Sequence, residues 1–343
     1  MAKARRVTPI RSRTIPHRAN HRCWHSAQGL HGPAPMRSAA ARWLSPGLAA
    51  AAMLAFGAPA AAQELEPRAY TNVPVGMNFV IAGYGYSAGG VAFDPAVPLT
   101  DADIRTHNAL FAYVRSLDIA GLAGKVDIVL PYAWLSGSAL YQGETREREV
   151  SGLGDARLRM SVNFYGAPAL SVQEFASYRQ DVIVGASLQV TAPVGQYDST
   201  KLVNIGTNRW SFKPELGISK AIGPMTLELM AAAVYYTEND DFFGGSTVAQ
   251  DPVYSAQTHL TYNLGRGNWV AVDAVYYTGG RSTVDGVTGD DLQRNTRFGA
   301  TYAHAIDRHH SLKLHASSGV STRTGSDYDS IAIAWQYRWG AGY

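Results

Sequence analysis

The chain has 343 residues and a formal net charge of +3, with 30 Lys and Arg against 27 Asp and Glu. Nine of the basic residues and no acidic residue lie in residues 1–62, so the remainder has 21 basic and 27 acidic residues and a net charge of −6. The basic excess therefore belongs to the leader, and nucleic-acid binding loses its compositional support. The single cysteine, Cys23, lies in the same segment, which excludes disulfide and thiol chemistry from the rest of the chain.

Residues 1–62 have the pattern of a secretory signal peptide. Two arginines precede an apolar run at 47–58, and Ala60-Ala61-Ala62 supplies the small residues of a cleavage site. The run is too short to span a bilayer as a helix. Counted from Met36 the signal peptide has an ordinary length, so residues 1–35 are interpreted as an extension upstream of the true start. An organelle transit peptide, also Arg-rich and poor in acidic residues, is the alternative.

From about residue 77 the chain contains twelve segments with the side-chain alternation of β-strands. Most have 11 to 14 residues, longer than typical strands of soluble sheets and sufficient for a tilted membrane crossing. Individual strand signals are weak, so ten and fourteen strands are alternatives. The predicted strands lie at 77–87, 105–118, 124–136, 153–165, 181–192, 209–222, 225–237, 252–264, 268–278, 293–306, 311–321 and 327–339.

The connections between these segments alternate between long and short. Barrels of the outer membrane have this rhythm, with short periplasmic turns and longer extracellular loops. Short connections include 120–124, and long ones include 193–208 and 279–292. The exception is 166–180, which is long although it falls on the side of the short turns, and there we predict a short helix around residues 171–177.

The last predicted strand shows the alternation of faces most clearly. Ile331, Ile333 and Trp335 share one face, while Ala332 and Arg338 share the other. We therefore predict an all-β fold, a transmembrane antiparallel up-and-down β-barrel of about 12 strands, over residues 63–343, in the outer membrane of a Gram-negative bacterium. Tyr and Trp cluster at strand ends, and the predicted interfacial aromatic anchors are Trp134, Trp210, Trp269, Trp335 and Trp339.

The opposite strand faces carry polar side chains of both charge signs. Two interpretations stay open: ion pairs that fill and rigidify a narrow barrel, and a permeation path whose charges select solutes. Because the first strand begins about fifteen residues after the cleavage site, we expect no N-terminal plug. The candidate residues of the lumen and permeation path are Lys125, Asp127, Arg157, Arg159, Lys213, Glu215, Glu228, His259, Asp273, Arg297, Lys313 and Arg338.

Signals for catalysis or metal binding are weak. Ser282 has Gly280 two positions before it, where some barrel phospholipases have a histidine, so its hydroxyl lacks a visible general base. The carboxylate pairs Asp240-Asp241 and Asp290-Asp291 lie in hydrophilic loops, and His309-His310 point apart in a predicted tight turn. We therefore predict a protein that is not an enzyme, with no catalytic residues, no cofactor and no metal. A barrel hydrolase is the less favoured alternative.

Several motifs in the middle of the chain resemble a known family. They are Gly152-Leu-Gly-Asp155, Gly166-Ala-Pro-Ala-Leu170, the run from Gly185 to Tyr197, and Asn208-Arg-Trp210 followed by Lys213-Pro-Glu215. Together they are similar to the "meta-pathway of phenol degradation" family of outer-membrane β-barrels, often labelled transporters. The resemblance implies a barrel in the outer membrane and, because some members occur with aromatic-degradation pathways, passage of hydrophobic aromatic compounds. It implies no catalytic residues.

The predicted function is a porin-like channel or transporter for small, hydrophobic or aromatic solutes, by passive or facilitated diffusion. A structural or adhesive barrel with a plugged lumen is the alternative. The expected partners are outer-membrane lipid and lipopolysaccharide, the small-molecule solute and the barrel-assembly machinery, with no nucleic acid. Pro214 lacks an N–H donor, which predicts a bulge or a local break in strand pairing.

Overall fold

The computed structural model describes residues 65–90, 96, 99–324 and 327–342. The predicted leader at residues 1–62 lies outside this part of the chain. No helix among the described residues is long and apolar enough to cross a membrane. The described residues form one short helix, α1 (Val172–Phe175), a 3-10 turn at Phe243–Gly245, and the strands β1 (Met77–Gly89), β2 (Thr100–Ile119), β3 (Leu122–Tyr141), β4 (Glu144–Leu153), β5 (Ala156–Tyr165), β6 (Val182–Ala192), β7 (Ser211–Ile222), β8 (Met225–Tyr236), β9 (Asn239–Phe242), β10 (Ser246–Gln250), β11 (Val253–Gly265), β12 (Asn268–Gly279), β13 (Ser282–Val284), β14 (Val287–Thr288), β15 (Gln293–Ala305), β16 (His310–Ser321) and β17 (Tyr328–Gly340).

Twelve of these strands close into one antiparallel barrel, and β4 continues the ladder of β3 beyond the end of β5. The last strand, β17, pairs with β1 from Met77 opposite Gly340 to Gly89 opposite Tyr328. Closure removes the free sheet edges that hydrocarbon would penalise. The predicted fold class and the predicted number of twelve strands are confirmed. The barrel strands are β1, β2, β3, β5, β6, β7, β8, β11, β12, β15, β16 and β17.

The barrel wall is apolar outside and polar inside. Along β11, exposed Tyr254, Leu260 and Tyr262 alternate with buried Gln257 and His259. This period of two follows from the pleat of a strand, which points successive side chains to opposite faces. Exposed leucines and aromatic rings on all sides of the barrel would be unfavourable in water and suit an exterior in contact with lipid.

Short connections join the strands at the end of the barrel where the chain enters β1. Between β2 and β3 only Ala120 and Gly121 form the turn, both with left-handed backbone at φ 52° and 83°. The longer connection between β5 and β6 holds α1, as predicted. There the Ser171 hydroxyl accepts the N–H of Glu174 at 3.3 Å, and the Glu174 carboxylate accepts the N–H of Ser171 at 2.9 Å. Hydrogen bonds from the Ser171 hydroxyl and N–H lower the pKa of the exposed Glu174 carboxyl.

The longer loops at the other end pack into a small cap. β2 and β3 are 20 residues long, and their outer halves form a three-stranded projection with β4. Two other loops build a four-stranded sheet of β9, β10, β13 and β14. Leu99, Leu202 and Phe243 pack against the buried side chains of Phe242 and Val248. The outer loops therefore share an apolar core of their own.

Pro214 lies at a local break in the wall. β7 pairs with β8 at Phe212 opposite Tyr235, and the pairing resumes at Glu215 opposite Ala232 without a change of register. On its other side Pro214 is opposite Leu188 of β6. The predicted break in pairing is confirmed, and it is a gap in the ladder rather than a bulge.

Candidate functional site

The lumen contains the chain segment that precedes β1, residues 65–76, which we call the plug segment. Leu65, Tyr70 and Asn72 are buried, and Leu65 packs with Val234 and Val275 on the inner wall. The expectation that no N-terminal plug exists is therefore wrong. A dozen extended residues reach up to about 40 Å, so even the short stretch before the first strand is long enough to enter the barrel.

Arg159 of β5 joins the plug segment to the wall. Its Nη2 donates to Glu66 Oε1 at 2.7 Å, and its Nε donates to Asp127 Oδ2 of β3 at 2.9 Å. All three side chains are almost completely buried. Removing one member of such a group leaves a buried charge without compensation. The cation that sequence reasoning placed in a permeation path is thus engaged by the plug segment.

Tyr70 occupies a slot in the wall. Its hydroxyl donates to Glu215 Oε1 at 3.1 Å, and Lys213 Nζ lies 3.4 Å from the other oxygen of that carboxylate. The ring lies against Gly185 and Gly217, where added Cβ atoms would stand 2.4 Å and 2.1 Å from ring carbons. No real Cβ contact is that close, so glycine is required at both positions while the ring is in place.

The backbone of the plug segment is bound as well. The N–H of Arg68 donates to the Glu228 carboxylate, and Lys125 Nζ donates to the carbonyl of Ala69. The Arg68 guanidinium lies 5.4 Å from the centroid of the Trp269 ring, within the range of a cation–π interaction. The plug segment is therefore attached to β3, β5, β7, β8 and β12 by contacts distributed around the wall.

A hydrogen-bonded belt crosses the inner wall on β11, β12, β15 and β16. His259 Nδ1 lies 2.7 Å from Asp273 Oδ1, and both side chains are fully buried. The Thr301 hydroxyl lies 3.4 Å from the second oxygen of Asp273 and 3.0 Å from His315 Nδ1. Two of these four residues, His259 and Asp273, belong to the predicted lumen set. The belt connects strands of the wall to each other.

The remaining lumen candidates do not join these clusters into one site. Arg297 donates from Nε to the Ser317 hydroxyl at 3.1 Å, and its guanidinium lies 3.9 Å from the Tyr328 ring centroid. Arg338 Nε donates to the carbonyl of Arg308 at 2.6 Å. Across the whole set every residue is buried or half-buried, the half-buried ones being Lys125, Arg157, Arg159 and Lys313.

The predicted aromatic anchors divide between the two faces. Trp134, Trp210 and Trp335 are exposed on the outside, and Trp339 stacks on Tyr337 with ring centroids 5.5 Å apart. Trp269 is only 3% exposed and faces the lumen, so its assignment as an interfacial anchor is wrong. The physical reason is its position four residues before Asp273 on β12, because residues an even number apart share one face of a strand.

The weak catalytic signals are explained by structural roles. Ser282 donates through its hydroxyl to the carboxylate of Asp291, and its N–H lies 3.0 Å from the same carboxylate. Asp290 pairs with Arg323 at 2.8 Å. His309 Nδ1 lies 3.0 Å from the carbonyl of Arg338, and His310 stacks on Trp335 at 5.6 Å. Among the described residues no group of three His, Cys, Asp or Glu side chains is arranged to hold a metal ion.

Asp155 is an organising residue that the sequence patterns did not identify as such. Its Oδ1 accepts the N–H of Gly195 at 2.9 Å, and its Oδ2 accepts the N–H and hydroxyl of Thr207 at 2.8 Å and 2.7 Å. One carboxylate thus fixes both ends of the loop at 193–208. The signal for this role was the Gly-Leu-Gly-Asp motif, but the loop residues that it binds lie 40 and 52 positions later.

A closed antiparallel barrel with an apolar exterior and a polar, occupied interior defines a β-barrel of the bacterial outer membrane. The chain belongs to the family described as "Putative MetA-pathway of phenol degradation", whose model matches residues 85–335.

Comparison with solved structures supports the fold. An outer membrane channel from Pseudomonas putida F1 is 21% identical, with a TM-score of 0.67 over 80% of this chain and 99% of that chain. The β domain of the Bordetella autotransporter BrkA is 13% identical, with a TM-score of 0.46 over 77% and 100%. The KdgM porin is 8% identical, with a TM-score of 0.41 over 75% and 98%. No curated protein matches the chain.

Proposed function

We propose that the protein is an outer-membrane channel for small hydrophobic or aromatic solutes, acting by passive or facilitated diffusion. One observation carries this proposal: a single segment, residues 65–76, fills the lumen and is bound by a limited set of wall contacts. A barrel closed only by side chains of its own wall can open only by repacking that wall. A barrel closed by one strand-free segment opens when that segment leaves.

The twelve lumen residues would then line the path. With the plug segment displaced, Arg159, Asp127, Lys213 and Glu215 lose partners in it and face the lumen, giving an interior with charges of both signs. The channel class is supported by the likeness to the Pseudomonas putida channel. The aromatic solute is supported by the family description, which refers to phenol degradation.

The expected surroundings of the protein complete this proposal. Export would use the signal peptide predicted in residues 1–62, and insertion would use the barrel-assembly machinery. Outer-membrane lipid and lipopolysaccharide would contact the apolar exterior, with Trp134, Trp210, Trp335 and Trp339 at its borders. Catalysis has no part in the proposed function.

Reconstitution of the full mature chain tests the proposal. In planar bilayers and in liposomes loaded for swelling, wild type is compared with a double variant, Tyr70→Ala with Arg159→Gln, which removes two attachments of the plug segment. We expect higher conductance and faster entry of phenol and benzoate in the double variant. Arg179→Gln, in the exposed turn after α1, is the control. Equal impermeability of wild type and double variant to every solute would contradict a channel.

A structural barrel with a permanently filled lumen is the second candidate. It is favoured by the number of buried contacts that hold the plug segment, above all the Glu66–Arg159–Asp127 group. The same bilayer recordings separate the two candidates, because a structural barrel would show no conductance until it unfolds.

A further inference from the structure

An apolar cavity of about 370 Å³ lies among the outer loops. Its walls come from the start of β2, the projection of β3 and β4, the loop at 193–208 and the 3-10 turn. Leu99, Ile104, Leu202, Val203 and Phe243 supply most of its apolar surface. The cavity shares no lining residue with the lumen clusters, and its size falls within the range of small-molecule sites.

The register of β3 and β4 sorts the charges of this region onto two faces. The run Glu144-Thr-Arg-Glu-Arg-Glu149 alternates in sign. Arg146 stands opposite Ala139 and Arg148 opposite Gly137, on the face that carries the buried side chain of Leu135. The side chains of Glu147 and Glu149 start from the other face. Both arginines of the run therefore face the cavity.

Two cations at the cavity have donor capacity to spare. Arg148 uses Nε to donate to the Val203 carbonyl at 3.1 Å, and within the described residues its two terminal nitrogens have no hydrogen-bond partner. Lys201 Nζ, on the facing loop, likewise has none within that part of the chain. Arg146 is different, because it pairs with Glu144 at 2.6 Å.

One carboxylate stands near these cations and is occupied by its own turn. Asp198 Oδ1 accepts the hydroxyl of Thr200 at 2.6 Å and its N–H at 2.9 Å. These bonds, helped by nearby Lys201 and Arg148, lower the pKa of Asp198, so it is ionised at neutral pH. Its charge offsets part of the positive potential, and the donors of Arg148 and Lys201 stay available to a ligand.

We propose that this cavity binds an amphiphilic carboxylate, with the apolar body among Leu202, Val203 and Phe243 and the carboxylate between Arg148 and Lys201. A guanidinium fork suits the two oxygens of a carboxylate, and an apolar chamber suits an alkyl or aryl tail. The inference rests on the proposed channel function, since it names a class of solute that the outer loops would collect.

Binding of octanoate to the full mature chain in nanodiscs tests this assignment, with empty nanodiscs correcting for partition into lipid. We expect Arg148→Gln and Lys201→Gln each to weaken octanoate binding by about tenfold, the scale of one lost charge-assisted hydrogen bond. Arg105→Gln is the matched control. It removes one positive charge from the same projection, but Arg105 stands opposite Ser136, on the face away from the cavity.

Octanamide, which has the same chain without the charge, should bind at least tenfold more weakly than octanoate to wild type. The assignment is overturned if octanamide binds equally well, if the two cavity variants bind octanoate like wild type, or if inorganic phosphate displaces octanoate as well as a carboxylate of equal length does. The channel proposal is judged separately by conductance. Conductance without octanoate binding would remove only the capture site, and binding without conductance would remove only the channel.

Discussion

Gly185 of β6 is the direct cross-strand partner of Gly217 of β7, and the ring of Tyr70 lies against both. Two glycines opposite each other weaken a sheet, because they contribute no side-chain packing. Here they leave a flat recess in the inner wall that one aromatic ring fills. The pair therefore sets where along the lumen the plug segment is held.

Gly217→Ala should destabilise the plugged barrel by about 1–3 kcal/mol, the usual cost of overpacking a filled site. The added methyl would meet ring carbons of Tyr70. Urea unfolding in detergent micelles measures the loss. In a Tyr70→Ala background the recess is empty and the same substitution should cost little. An equal cost in both backgrounds would show that the ring does not use this recess.

Arg159→Gln should destabilise the protein more than Glu66→Gln, by about 3–5 kcal/mol in the first case. The arginine holds two buried carboxylates, those of Glu66 and Asp127, whereas Glu66 is only one of its two partners. Unfolding midpoints of both variants provide the test. Lys220→Gln, in the exposed pair with Asp181, should change stability by about 1 kcal/mol or less. A reversed order of the two buried variants would refute the shared role of Arg159.

A disulfide between Leu65→Cys and Gly299→Cys should lock the plug segment to β15. Leu65 Cδ1 lies 2.6 Å from where a Cβ on Gly299 would stand, so the two sulfurs can meet. The rest of the predicted mature chain has no cysteine that would compete.

In the Arg159→Gln background the oxidised, locked protein should conduct less than the same protein after reduction. Single-cysteine variants, which cannot form the internal bond, serve as controls. If oxidation and reduction give the same current, displacement of the plug segment is not what opens the lumen.

Asp155→Asn should loosen the loop at 193–208 and leave the barrel intact. The amide oxygen can still accept the N–H of Gly195, but the amide NH₂ would face the N–H of Thr207. A donor left without an acceptor costs about 1–3 kcal/mol. Limited proteolysis should cut this loop faster in the variant. Asp285→Asn, which alters a cap on Thr247 in another loop, should leave that cleavage rate unchanged.

Local periodicity predicted the barrel because the alternation of faces is encoded within each strand. Tyr254, Leu260 and Tyr262 lie outside and His259 inside, as the pattern required. Trp269 was misassigned because its residue type was given more weight than its even spacing from Asp273. The plug segment was out of reach for a different reason: Glu66 meets Arg159 across 93 residues of sequence, and no short-range pattern records such a contact.

The burial of Leu65 between β8, β11 and β12 has a practical consequence for fusion proteins. A reporter attached directly before this residue would begin within the cylinder and would compete with the native occupant for space. Insertion at the tip of the β13–β14 hairpin avoids that conflict, since Val287 is 74% exposed there and Gly286 already forms a turn. An epitope placed at this tip should therefore report surface display without altering conductance.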